Sequence, residues 1–95
     1  MKTNEKTFLQ RKRYKNMKQK IIEILSEIRP EFDFNDDVNF IEQGMLDSFD
    51  IVSLVDAFDE EYHVSISGAD IIPENFSTLD SIEELLKKTI SQSKK

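Results

Sequence analysis

At 95 residues and 11.1 kDa the chain has room for one small domain, and at that size about two-thirds or less of the unfolded chain's surface is buried on folding. Its net charge of −6 hides an asymmetry: residues 1–20 sum to +7, residues 21–86 to −17, and Lys87, Lys88, Lys94 and Lys95 supply the rest. An acidic body of this density repels phosphate backbones and so argues against nucleic acid as a partner, while the absence of cysteine excludes disulfides, thiolate metal sites and cysteine nucleophiles.

No apolar run exceeds two residues, too short for a membrane span or for the core of a secretory signal. A cytoplasmic monomer without membrane insertion is the expectation, and the missing cysteines agree with it. Residues 1–16 are basic and polar and read as a flexible N-terminal extension. Tyr14 and Met17 continue an apolar stripe backwards from the first clear helix, in which Ile21, Ile24, Leu25 and Ile28 recur at helical spacing. Arg29-Pro30 ends that helix, because a residue before proline disfavours the α region.

Residues 30–47 have no period. A loop of this length in a compact domain is functional or tied down by its own side chains, here by Phe32, Phe34, Val38, Phe40, Ile41, Met45 and Leu46. Within it, Asp33-Phe-Asn35-Asp-Asp37 imitates the opening of a calcium loop. Val38 stands where that loop requires glycine, and Gly44 where it requires glutamate, so no metal site is expected.

Ile51, Leu54, Val55, Phe58 and Tyr62 mark a second helix over about 48–62. His63 closes it, placed to meet its last carbonyls. Ser67-Gly68-Ala69-Asp70-Ile71-Ile72 makes a short helical turn before Pro73. Leu79, Ile82, Leu86 and Ile90, with Leu85 beside them, mark a last helix whose start signal is Ser77-x-x-Asp80. The predicted fold is all-α: three long helices, a short third one and a long first loop, with a folded domain over 17–91 and a tail over 92–95.

Chemistry concentrates where the loop becomes the second helix. Ser48 opens that helix, its hydroxyl is expected to face solvent, and Asp47 or Ser48 can cap the free N–H groups. A phosphate ester on Ser48 would lie at the positive end of the helix dipole, and Gly44 lets the loop turn sharply before it. No glycine-rich phosphate loop exists, His63 is the sole histidine, and no G-x-S-x-G turn surrounds Ser48, so no catalytic set is expected and the protein does not read as an enzyme.

The run Gly44-Met-Leu-Asp47-Ser48-Phe49-Asp50-Ile-Val52-Ser53-Leu-Val resembles the phosphopantetheine attachment site of acyl carrier proteins. With the helix order and the long first loop, the resemblance extends over about residues 18–90. It implies a four-helix acyl-carrier-like bundle in which an Asp-Ser pair opens the second helix. The two residues between Gly44 and Asp47 look most like D-alanyl carrier proteins and other stand-alone carriers.

By that resemblance Ser48 receives 4′-phosphopantetheine from a phosphopantetheinyl transferase, and Asp47 helps position it. The arm's thiol then carries an acyl or aminoacyl group between partners such as an adenylating ligase, an acyltransferase or a synthase. The second helix becomes the docking face, with Phe49, Asp50, Val52, Ser53, Asp56 and Glu60 toward a basic partner that has an apolar centre. Three positions depart from the commoner pattern: Phe49 replaces leucine or methionine, Ser53 stands where many fatty-acid carriers have glutamate, and Asp56 where they often have methionine. The alternative reading of the same residues is an unmodified acidic helical module that binds a basic protein.

Overall fold

The structure, a computed structural model, describes residues 17–93. The basic extension over 1–16, the backward continuation of the stripe through Tyr14 and the last two lysines lie outside them. Among the described residues there are three α-helices, α1 (Met17–Ile28), α2 (Ser48–Tyr62) and α3 (Leu79–Ser93), two 3₁₀ turns (Gly68–Asp70 and Pro73–Phe76) and no strand. The last helix thus runs two residues beyond the boundary placed at 91.

Helix α1 lies between the other two and packs on both. Its apolar stripe faces inward as its spacing requires: Ile21, Ile24 and Leu25 are buried and Ile28 is half-buried. Arg29 donates its N–H to the Leu25 carbonyl at 2.8 Å, and the helix stops there, before Pro30. From α2 come Ile51, Leu54, Val55 and Phe58, and from α3 Leu79, Ile82, Leu85 and Leu86. Thr89 takes a buried place on α3 and returns its hydroxyl to the Leu85 carbonyl at 2.8 Å, whereas Ile90 is only half-buried. That hydroxyl is satisfied within its own helix, so its burial costs little.

The first loop is anchored by its own apolar residues. Phe34, Phe40, Met45 and Leu46 are buried, and Phe32, Val38 and Ile41 pack against the same core. The rings of Phe34 and Phe40 meet edge to face with centroids 5.1 Å apart, and the Phe40 N–H donates to the Ser77 carbonyl at 2.6 Å. Asn39 starts a single helical turn by accepting N–H bonds from Ile41 and Glu42. That turn ends in a Schellman motif: Met45 donates to the Phe40 carbonyl, Gly44 donates to that of Ile41, and Gly44 sits at φ 72°.

Two expectations about element ends change. The short third helix is a 3₁₀ turn over Gly68–Asp70, narrower than the span 67–72 expected for it, and a second 3₁₀ turn over Pro73–Phe76 follows. Pro73 holds Ile72 in extended backbone (φ −128°, ψ 152°), which separates the two turns, and Pro73 is itself the first residue of the second. At α3 the cap is Thr78, one residue later than the Ser77 signal. The Ser81 N–H donates to Thr78 Oγ1 at 3.1 Å, while the Ser77 hydroxyl bonds back to the Glu74 carbonyl. Asp80 is left free to pair with Lys18 at 2.7 Å; Lys18 also reaches Asp36 at 3.3 Å and so joins α1, the first loop and α3.

Candidate functional site

The start of α2 is fixed from both sides. Asp47, in extended backbone, accepts the N–H of Asp50 on Oδ1 at 3.0 Å, and Asp50 Oδ2 accepts the N–H of Asp47 at 3.0 Å. This reciprocal capping box settles which residue caps: Asp47 does, and Ser48 becomes the first helical residue. Before it, the Schellman turn at Gly44 directs the chain, with Met45 and Leu46 buried as anchors.

Ser48 is exposed, and among the described residues no side chain engages its hydroxyl. An oxygen in this place is reachable by another molecule, and the first N–H groups of α2 give a phosphate a favourable electrostatic setting. The position therefore fits a phosphodiester-linked arm. His63, the sole histidine, stands at the far end of α2, roughly 22 Å from Ser48 at 1.5 Å per residue, so the two are not paired. His63 does cap the helix, but through its backbone: it sits at φ 56° and its N–H donates to the Asp59 carbonyl. Among the described residues no group of three or more His, Cys, Asp or Glu is placed to hold a metal. The calcium-like segment instead folds on itself, with the Asp37 N–H donating to Asn35 Oδ1.

The acids near Ser48 sort into two kinds. Asp56 and Glu60 are exposed on α2, as is Ser53. Asp50 corrects the expectation that it belongs to the docking face: it is only 8% exposed because its carboxylate turns inward. There Oδ2 receives, besides the Asp47 N–H, the Nε–H of Arg29 at 3.0 Å. Asp59 is likewise partly committed, accepting the Ile66 N–H at 3.0 Å.

Arg29 is the residue that reading the sequence missed. Its guanidinium contacts Glu31 at 2.9 Å, Asp50 at 3.0 Å and Asp47 at 3.5 Å, and it lies over the Phe32 ring. The N–H of Asp50, aided by the nearby Arg29 charge, holds the Asp47 carboxyl below the usual carboxylate range. The available signal was that Arg29 is the only base between residues 21 and 86.

Among the described residues three large apolar side chains are exposed. Phe49 is 84% and Val52 58% exposed, and Ile72, in the extended residue before Pro73, is exposed as well. Ile72 was not singled out from the sequence, where its pairing with Ile71 resembles core. Side chains so exposed on a small domain are common contact points for a partner.

Comparison with known families agrees with the residues. The family model described as the phosphopantetheine attachment site matches residues 19–86. No curated protein and no solved structure matches the chain significantly. The matched span covers most of the chain and takes in α1, the long loop and the Asp47-Ser48 start of α2. The chain therefore belongs to the acyl carrier protein family, as a carrier domain that bears 4′-phosphopantetheine covalently.

Proposed function

We propose that Ser48 is the attachment residue and that the protein is a stand-alone cytoplasmic carrier without catalytic activity of its own. The observation that carries this is the exposed, unengaged Ser48 hydroxyl at the first position of α2, inside the family-matched span. The Ser48 oxygen attacks the pyrophosphate of coenzyme A at the phosphorus that bears pantetheine. A phosphodiester to Ser48 forms, the bond to the other phosphate breaks, adenosine 3′,5′-bisphosphate leaves, and the hydroxyl proton passes to a base of the transferase. Asp47 supports the step by capping the turn that presents Ser48.

When bound, the arm supplies a terminal thiol, which holds the cargo as a thioester; this accounts for a carrier that needs no cysteine of its own. The spacing of Gly44, Met45, Leu46 and Asp47 supports an aminoacyl cargo of the D-alanyl kind, loaded by an adenylating ligase. Phe49, Val52, Ser53, Asp56 and Glu60 form the face offered to the transferase, the ligase and later acceptors, an apolar centre with an acidic rim for basic surfaces. Incubation with coenzyme A and a broad-specificity transferase, read by intact mass, tests the reading. Wild type gains one phosphopantetheine group and Ser48→Ala gains none; no gain by wild type, or equal gain by both, contradicts it.

A further inference from the structure

We propose that Arg29 is a positioning residue for arm attachment: by holding Asp50 from the end of α1, it fixes the turn that aims Ser48. The inference rests on the carrier reading above and extends it to a residue outside the attachment motif.

The geometry is specific to the site. An exposed ion pair contributes little, and the contact of Arg29 with Glu31 is of that kind, since the Glu31 side chain is half exposed. The contact with Asp50 differs, because that side chain is only 12% exposed and one oxygen, Oδ2, serves two donors at 3.0 Å: Arg29 Nε–H and the Asp47 N–H. Arg29 thus fixes the orientation of the carboxylate that in turn fixes the backbone of Asp47. Among the described residues no side chain hydrogen-bonds to the Ser48 hydroxyl, so that hydroxyl inherits its place from residues 47–50. Without Arg29, the Asp47 and Asp50 carboxylates share the helix start with no cation between them, and Asp50 gains by turning toward water. The Asp47 N–H then loses its acceptor, and the turn before Ser48 loosens.

A positioning role and a merely structural one leave different traces in transfer kinetics with the carrier as substrate. If a variant only unfolds part of the population, the apparent KM rises by the inverse of the folded fraction and kcat is unchanged. If Ser48 is misplaced in the docked complex, kcat falls, because reacting atoms tolerate little displacement.

The test compares wild type, Arg29→Gln and Arg29→Lys in transferase turnover with coenzyme A, alongside amide hydrogen exchange of the unmodified chains. In Arg29→Gln, kcat is expected to fall about tenfold with KM within about twofold. Arg29→Lys, which keeps the charge but not the fork, recovers most of the loss. Amides of Asp47 and Asp50 exchange several-fold faster in Arg29→Gln, whereas those of Leu54 and Phe58 in the same helix do not change. An unchanged kcat, a loss confined to KM, or acceleration of all four amides together overturns the proposal. Failure of wild type to accept the arm overturns the carrier reading and the attachment role with it, and the amide comparison still decides whether Arg29 fixes residues 47–50.

Discussion

Arg29 Nε–H meets Asp50 Oδ2 at 3.0 Å, joining the end of α1 to the first turn of α2 across 21 residues of sequence. The long first loop lies between them, so its two ends are held together through Arg29, which also reaches Asp47 at 3.5 Å. The same Asp50 oxygen accepts the Asp47 N–H, which makes the loop closure and the helix cap a single unit. Ser48 is the next residue, and the precision of its placement derives from that unit.

Asp50→Ala removes the N-H acceptor and the partner of Arg29 together. It is expected to cost about 1–2 kcal/mol of stability by denaturant unfolding. Because Arg29 and Asp50 act on each other, the double variant Arg29→Gln, Asp50→Ala loses less than the sum of the two singles.

Asp47 gives the site a pH dependence of definite sign. Its folded pKa lies below the ordinary value of 3.8, so its charged form contributes stability that is fully present above that value and is lost as pH falls through the folded pKa. Asp47→Asn keeps a capping oxygen but not the charge. At neutral pH the variant unfolds at lower denaturant than wild type, and the gap closes as pH is taken below the ordinary carboxylate range.

Gly44 and His63 both sit at positive φ, at 72° and 56°, and substitutions there have opposite effects. Apart from its chain neighbours, a Cβ on Gly44 meets no atom of the described residues within 4 Å, so Gly44→Ala meets strain without a clash and costs about 1 kcal/mol. His63→Gly relieves the left-handed penalty and stabilises by about 0.5–1 kcal/mol, after the greater freedom of glycine in the unfolded chain is discounted. Urea midpoints of both variants check the pair.

Exposure separates residues that hold the fold from those another molecule can reach. Phe58 is fully buried, and Phe58→Ala is expected to cost about 3–5 kcal/mol. Phe49→Ala, at a side chain 84% exposed, leaves stability within about 0.5 kcal/mol while raising KM for the transferase. An unchanged KM for Phe49→Ala and Val52→Ala together would remove the apolar centre from the docking face.

What the sequence made legible was periodic or local. The stripes of α1, α2 and α3, the stop at Arg29-Pro30, the aromatic ties of the loop and the Asp-Ser helix start all follow from spacing or from residue chemistry within a few positions. The cap of α3 moved one residue because Ser77 and Thr78 are equivalent hydroxyls, and only packing decides which of them faces the helix. The short turn before Pro73 was legible, but the second turn, Pro73–Phe76, was not, because it starts at the proline, which marks a stop and a first helical position equally well. Local sequence places Asp50 on the surface, where acids usually lie; its burial depends on Arg29, a partner 21 residues away that no local pattern announces.

Peptide-level mass spectrometry of the chain after reaction with coenzyme A and a transferase tests the central claim most directly. The expected result is a single phosphopantetheine group on Ser48, with neighbouring Ser53 unmodified. An arm on another residue, or no arm at all on the folded chain, would contradict the assignment of Ser48 as the attachment site.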